Sequence, residues 1–308
     1  MTTRETRPPL YLLAFDHRGS FEEDLFGIEG SPDEAARARL AAAKQTIFSG
    51  YQLALARGAP PVSAGILVDE EIGATVARAA KSGGHILAMP AELSGQDEFK
   101  FEYPDWDQHI DAFEPDYVKV LVRYNPEGDR ELNARQAARL KELSVWLAQR
   151  PRYQFLFELL VPPTAEQVQE PASVEAFDHN RRPALVVQAV AELQQAGVEP
   201  DVWKIEGLYR RQDCEEIAAQ ARIDGREHVR CIVLGRGADE AQVEEWLRVG
   251  AGANGFCGFA VGRTIWFEPL KALLAGDISA VVAEERIATR YLREIEVYAT
   301  AALEARPV

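Results

Sequence analysis

Sulfur, positive charge and long apolar runs are all scarce in this chain, and each scarcity closes off a class of function. The three cysteines, Cys214, Cys231 and Cys257, lie far apart with no Cys-x-x-Cys pairing and no histidine-rich neighbourhood. They read as buried thiols, neither a disulfide framework nor zinc ligands. With 34 Lys+Arg against 49 Asp+Glu the formal charge is -15, so no nucleic acid and no anionic membrane surface is expected as a partner. An anionic small molecule must instead be met by a local basic pocket. No run approaches the roughly 18 apolar residues of a membrane span, and the polar start Met1-Thr2-Thr3-Arg4-Glu5-Thr6-Arg7 has no apolar core of a signal peptide. A cytoplasmic location is therefore the expectation. There is also no Gly- or Ser-rich linker to divide the chain.

What is present is regular alternation. Hydrophobic residues make up 47% and charged residues 27% of the 308 positions, enough to bury a sizeable core. Short apolar runs at residues 10–15, 65–68, 85–89, 117–122, 155–160, 202–205, 231–234 and 256–261 predict eight strands. Between them lie helical patterns: Leu40, Ala43, Ile47, Tyr51 and Leu55 on one face, Leu140, Leu143 and Leu147 on another, Leu185, Ala189 and Leu193 on a third, and an amphipathic stretch at 241–249. Ser31-Pro32-Asp33-Glu34 reads as a capping box, and Asn133 with Gln136 and Asp213 with Glu216 as further helix starts. Eight strand-then-helix units predict an α/β fold, a single (β/α)8 barrel over residues 1–308. Residues 278–302, with Val281, Ala288, Leu292 and Ile295 at helical spacing, exceed what the eighth unit needs. They predict an extra C-terminal helix that packs across the barrel or at a subunit interface, and a homo-oligomer is expected.

Barrel enzymes place their chemistry at the C-terminal ends of the strands, and the charged residues of this chain gather there. Asp16, His17 and Arg18 end strand one, Asp69, Glu70 and Glu71 strand two, and Glu92 follows strand three. Lys119 and Arg123 share the parity of strand four, Lys204 and Glu206 that of strand six. Glu158 stands inside the apolar Phe155-Leu156-Phe157-Glu158-Leu159-Leu160. Lys204, inside Asp201-Val202-Trp203-Lys204-Ile205-Glu206-Gly207, is the most informative residue. A lysine that faces a barrel interior loses solvation, and its free amine can attack a ketone to form an iminium. The alternative is a strand-end lysine that reaches solvent or pairs with Glu206 or Glu158. For Glu158 and Lys119 the alternatives are a buried salt-bridge network, or a carboxylate that shuttles an aldol proton while Lys119 lowers the proton affinity of Lys204 by repulsion.

Two glycine-arginine turns, Gly235-Arg236-Gly237 after strand seven and Gly262-Arg263 after strand eight, stand where barrels frequently bind phosphate. The remaining histidines, His85, His109, His179 and His228, show no ligand spacing. Asp16, His17, Asp69 and Glu70 would be the residues of a metal site, but no His-x-His motif accompanies them.

The strings Leu13-Ala14-Phe15-Asp16-His17-Arg18-Gly19-Ser20, Trp203-Lys204-Ile205-Glu206 and Gly258-Phe259-Ala260-Val261-Gly262-Arg263-Thr264 resemble the class I aldolase superfamily that includes tagatose-bisphosphate aldolases. A closer likeness runs through Gly65-Ile66-Leu67-Val68-Asp69-Glu70, Leu121-Val122-Arg123-Tyr124-Asn125-Pro126 and Phe157-Glu158-Leu159-Leu160-Val161-Pro162-Pro163. It is similar to the aldolase domain that accompanies 5-dehydro-2-deoxygluconokinase in myo-inositol catabolism. The resemblance implies a metal-independent class I aldolase, without cofactor, that cleaves a phosphorylated keto sugar acid. In that reading Lys204 forms the Schiff base, Glu158 is the acid/base, Lys119 and Asp16 assist, and Gly262 with Arg263 binds phosphate. Tagatose-bisphosphate aldolases carry glutamine where His17 stands, which argues against their substrate here. Arg123 or Arg18 is available for a remote carboxylate, and His17, Gly235, Arg236 and Gly237 complete the substrate-binding set. Another ketose-phosphate aldolase, or a non-catalytic phosphosugar-binding barrel, remains the alternative.

Overall fold

A computed structural model describes residues 7–169 and 173–305. The predicted eight strands are all present: β1 Leu10–Ala14, β2 Ala64–Leu67, β3 Ile86–Pro90, β4 Tyr117–Arg123, β5 Gln154–Leu160, β6 Val202–Glu206, β7 Arg230–Leu234 and β8 Phe256–Val261. They pair in parallel in sequence order, and β8 closes on β1. Their ends differ from the apolar runs by at most one residue, the ordinary uncertainty of an element boundary. Around the barrel lie α1 Gly19–Phe26, α2 Glu34–Ala56, α3 Ala74–Ser82, α4 Trp106–Phe113, α5 Arg130–Ala148, α6 Val174–Asn180, α7 Arg182–Gln195, α8 Arg211–Ala221, α9 Glu240–Ala251, α10 Arg263–Leu274 and α11 Ala280–Glu304.

Three helix starts differ from the sequence reading. The cap of α2 is Asp33, whose carboxylate accepts from the Ala36 amide, so Ser31 and Glu34 form no capping box. Asp129, not Asn133, caps α5. Asn133 and Gln136 face inward, where each donates to a backbone carbonyl, of Asn125 and Arg123 respectively. Asp213 pairs with Arg210 and caps no amide of α8.

The interior of the barrel is apolar at its base. Leu12, Leu67, Ala88, Leu156, Val202, Ile232 and Ala260 pack there, each nearly or completely removed from solvent. One step toward the C-terminal ends, the inward positions become charged. Alternation along a strand puts residues two apart on one side, so Leu156 and Glu158 both point inward, as do Val202, Lys204 and Glu206. The larger apolar cluster lies between strands and helices. The extra helix α11 packs against α2, α9 and α10. Gly50 of α2 permits this approach, since a Cβ there would fall 2.7 Å from the Ile287 side chain. Tyr291 and Ile295 are buried, and Tyr291 donates to the Tyr11 carbonyl. Val281, expected on the same face, is 63% exposed because it lies in the first turn, beyond the packed stripe.

Candidate active site

The β5–β6 register sets the centre of the site. Glu158 stands directly opposite Lys204 in the parallel ladder, and adjacent strands lie about 4.8 Å apart, so the two inward side chains meet. Glu158 Oε1 is 2.9 Å from Lys204 Nζ and Oε2 is 2.9 Å from Lys119 Nζ. Lys119 also donates to Asp16 Oδ2 at 2.9 Å and to Glu92 Oε1 at 2.7 Å. All five side chains are at least nine-tenths buried. They border a cavity of about 570 Å³ at the C-terminal mouth of the barrel.

Each charge in this cluster leaves its mark on its neighbours. Burial works against the Lys119 ammonium, but Asp16, Glu158 and Glu92 outweigh it and hold its proton affinity well above the ordinary lysine value. Burial works to raise the Asp16 carboxyl, yet the Lys119 and Lys204 ammoniums hold it well below the usual carboxylate range. Glu158 shows the same balance and is lowered by the same two lysines. Glu92 goes the other way, because burial prevails over Lys119 and Arg18. Burial pushes the His17 imidazole down to about 4, so it is neutral at pH 7. The repulsion that Lys119 was expected to exert on Lys204 is met by three carboxylates, and Lys204 itself has Glu158 as its counter-ion. Of the alternatives for Lys204 in the sequence, the pairing with Glu158 is therefore present in the structure.

All twelve residues given a role in the aldolase reading border the same cavity: Asp16, His17, Arg18, Lys119, Arg123, Glu158, Lys204, Gly235, Arg236, Gly237, Gly262 and Arg263. Their engagement differs. Arg18 is buried against Glu102 at 2.7 Å and the Glu92 carbonyl at 2.9 Å, which leaves it little freedom to meet a ligand. Arg236 is held by Asp178 at 2.6 Å and Glu206 at 3.0 Å, and Arg263 by Asp24. Arg123 donates to the Gln96 carbonyl at 2.6 Å and has no carboxylate partner among the described residues.

The β7 and β8 turns are tied together by Thr264, whose hydroxyl donates to the Ala238 carbonyl at 2.7 Å. The first-turn amides of α10, at Arg263 and Thr264, precede any intrahelical acceptor and stand at the positive end of the helix dipole. Gly262 is required there by close approach, since a Cβ would sit 1.8 Å from the Ala14 carbonyl oxygen. That same carbonyl accepts from Trp266, so β1, the β8 turn and α10 are locked as one unit.

The three acids and one histidine weighed as a metal site do not converge. Asp69 pairs with Lys44, Glu70 with His109 at 2.9 Å, and Asp16 with Lys119. Among the described residues no group of three His, Cys, Asp or Glu has the arrangement to hold a metal ion. Lys44 and Asp69 are both fully buried, and Lys44 also donates to the His17 carbonyl at 3.0 Å, which anchors the loop after β1. Sequence reasoning missed this pair, as it missed Arg182, which bridges Glu206 at 3.0 Å and Asp178 at 3.4 Å. A lysine in a long helix and an arginine before a proline carry no signal of burial. Glu92 did carry one, as an acid just past a strand end.

The family described as "Uncharacterized protein conserved in bacteria (DUF2090)" matches residues 1–302. The chain belongs to the DUF2090 family. No curated protein matches this DUF2090 member, but solved structures share its barrel. A fructose-bisphosphate aldolase from Plasmodium falciparum, solved with TRAP and a small-molecule inhibitor, aligns with 94% of the chain and 91% of its own at 12% identity and a TM-score of 0.65. A Schiff base forming fructose-1,6-bisphosphate aldolase, studied through its reaction intermediates, covers 92% and 94% at 14% identity and 0.53. An archaeal fructose 1,6-bisphosphate aldolase covers 92% and 94% at 15% identity and 0.52. At these identities the likeness establishes the barrel fold. No helix among the described residues is long and apolar enough to cross a membrane.

Proposed function

We propose that this DUF2090 protein is a class I aldolase that acts on a phosphorylated keto sugar acid, with Lys204 as the amine that forms the iminium. The observation that carries this reading is Lys204 itself: 3% exposed, bordering the cavity, and 2.9 Å from a carboxylate able to take its proton. A desolvated amine beside a base is what attack on a ketone requires. The Schiff base forming aldolase with the same barrel supports the assignment.

In this reading the Lys204 ammonium passes a proton to Glu158. The amine adds to the ketone carbon, and the carbinolamine loses water to give the iminium. A carboxylate then removes the proton from the hydroxyl two carbons away. The carbon–carbon bond between them breaks, its electron pair moves into the iminium to form an enamine, and the hydroxyl carbon leaves as an aldehyde. Protonation of the enamine and hydrolysis release the ketone and restore Lys204. Lys119 fixes the carboxylates, and Asp16, held ionised, is an alternative acceptor for the hydroxyl proton.

The anionic ends of the substrate follow from the cations around the mouth. The phosphate belongs at the β7–β8 turns, where the first amides of α10 supply donors and Arg263 and Arg236 exchange their carboxylate partners for it. Arg123, without an acid of its own, suits a carboxylate at the other end, and this favours a sugar acid over a ketose bisphosphate. Arg18 is already engaged. A substrate with this charge placement is 2-deoxy-5-keto-gluconate 6-phosphate, which would yield dihydroxyacetone phosphate and malonate semialdehyde. Condensation of dihydroxyacetone phosphate with either malonate semialdehyde or glyceraldehyde 3-phosphate tests it. The acid should be preferred, and Arg123→Leu should lower kcat/KM for it alone by about 1.5–3 kcal/mol, the worth of a charge-assisted hydrogen bond. Arg263→Leu should impair both alike. Equal use of the two aldehydes, with Arg123→Leu slowing both equally, would remove the sugar-acid assignment.

A further inference from the structure

Three carboxylates share one lysine, and one of the three differs from the others. Asp16, Glu92 and Glu158 lie within 2.9 Å of Lys119 Nζ, which leaves that ammonium no hydrogen for a ligand. Asp16 and Glu158 are held ionised by the lysines. Glu92 is 4% exposed and borders the cavity. Its Oε1 takes the Lys119 hydrogen bond, while its Oε2 is buried without a partner among the described residues. An ionised oxygen left there without a donor would be costly, and a neutral carboxyl much less so. Burial lifts the proton affinity of Glu92 in the same sense. Two ionised carboxylates also balance Lys119 and Lys204, and the next cation, Arg18 at 3.6 Å, is already paired with Glu102 at 2.7 Å.

We infer that Glu92 is a specificity-determining residue that, as a neutral carboxylic acid, donates a hydrogen bond to an uncharged substrate hydroxyl on the carbon beside the reacting ketone. The inference rests on the Schiff-base reading above. Lys204, Glu158, Lys119 and Glu92 follow one another around the barrel on β6, β5, β4 and just after β3. A substrate chain that leaves the ketone away from the β7–β8 turns passes them in that order. A hydroxyl needs both an acceptor and a donor. Asp16 and Glu158 can only accept, Lys119 is saturated, and Glu92 supplies the missing donor. The ionised Asp16 and Glu158 repel a phosphate or a carboxylate from this stretch. The charged groups that face Glu92 are Lys119 from β4, Asp16 and Arg18 from the end of β1, Glu102 behind Arg18, and Glu158 beyond Lys119.

The test compares dihydroxyacetone phosphate with hydroxyacetone phosphate, which lacks only the hydroxyl in question, in borohydride trapping at Lys204 by the full-length protein. Wild type should favour the hydroxylated ketone by about tenfold, the worth of one hydrogen bond. The preference should fall as pH rises, because a donor with a raised proton affinity is present below its titration and lost above it. Glu92→Gln, which keeps a donor that cannot ionise, should hold the preference at every pH, and Glu92→Leu should abolish it. Equal trapping of both ketones by wild type would overturn the inference. So would Glu92→Gln that loses the preference or keeps the wild-type pH dependence, and these outcomes decide the matter even if Glu92→Leu does not fold. If neither ketone is trapped, the Schiff-base reading fails first. Calorimetric binding of the same two ketones then judges Glu92 by the same tenfold ratio.

Discussion

Replacing Lys119 by methionine removes the cation on which three buried carboxylates converge. Asp16 Oδ2, Glu92 Oε1 and Glu158 Oε2 lie 2.9, 2.7 and 2.9 Å from its nitrogen. Glu158 would keep Lys204 and Glu92 would keep Arg18 at 3.6 Å. Asp16 would keep no ion-pair partner among the described residues. Removing one partner of a buried ion pair costs about 3–5 kcal/mol, because the other charge is left uncompensated. Against a typical total of about 5–15 kcal/mol that loss is severe but compatible with folding. The pH dependence is more diagnostic than the size. Lys119 and Lys204 hold the Asp16 and Glu158 carboxyls below their unfolded values. The stability these groups bring is therefore present above the unfolded values, near 3.9 and 4.3, and lost as pH falls through the folded ones. Lys119→Met forfeits most of that contribution. Urea unfolding should then show the gap between wild type and variant widest at about pH 7 and narrowing as pH falls through about 4, where the unfolded carboxylates take up protons. A gap below about 1 kcal/mol at pH 7, or one that fails to narrow as pH falls below about 4, would refute this picture of the cluster.

Two further outcomes follow from the same geometry. Gly262→Ala places a methyl 1.8 Å from the Ala14 carbonyl oxygen. It should cost at least about 1–3 kcal/mol of stability by thermal or urea unfolding and weaken binding of every phosphorylated ketone. Because the iminium is the electron sink, exhaustive chelation should leave turnover intact, and activity lost with EDTA and restored by zinc or manganese would contradict the mechanism.

The barrel was legible because each strand is a short apolar run bounded by charged or turn residues, so period and length together separate strand from helix. The site was legible where charge interrupts such a run. Lys119, Glu158 and Lys204 each break an apolar strand, and strand parity puts Lys119 with Arg123, and Lys204 with Glu206, on one side. The β5–β6 register that makes Glu158 and Lys204 direct neighbours is a three-dimensional fact with no counterpart in either segment. The helix starts were less legible because several residues of one stretch can cap. Ser31 and Asp33 both offer an oxygen, and the backbone geometry of the turn selects Asp33. The buried Lys44–Asp69 pair and the Arg182 bridge were not legible at all. Lys44 and Arg182 lie on helices, where solvent exposure is the ordinary expectation, and tertiary packing alone turns them inward. The engagement of Arg18 by Glu102, and of Arg263 by Asp24, likewise depends on segments that meet only in the fold. Such contacts separate Arg123 from the other arginines of the cavity.

The central claim is that Lys204 is the amine that forms the iminium. Incubation of the protein with dihydroxyacetone phosphate and borohydride, followed by peptide mass mapping, should place one reduced adduct on Lys204. Lys204→Met should abolish adduct and turnover together while the fold persists. An adduct on Lys119 would reverse the roles of the two lysines. A wild-type protein that turns over a ketose phosphate without any trapped adduct would contradict the account.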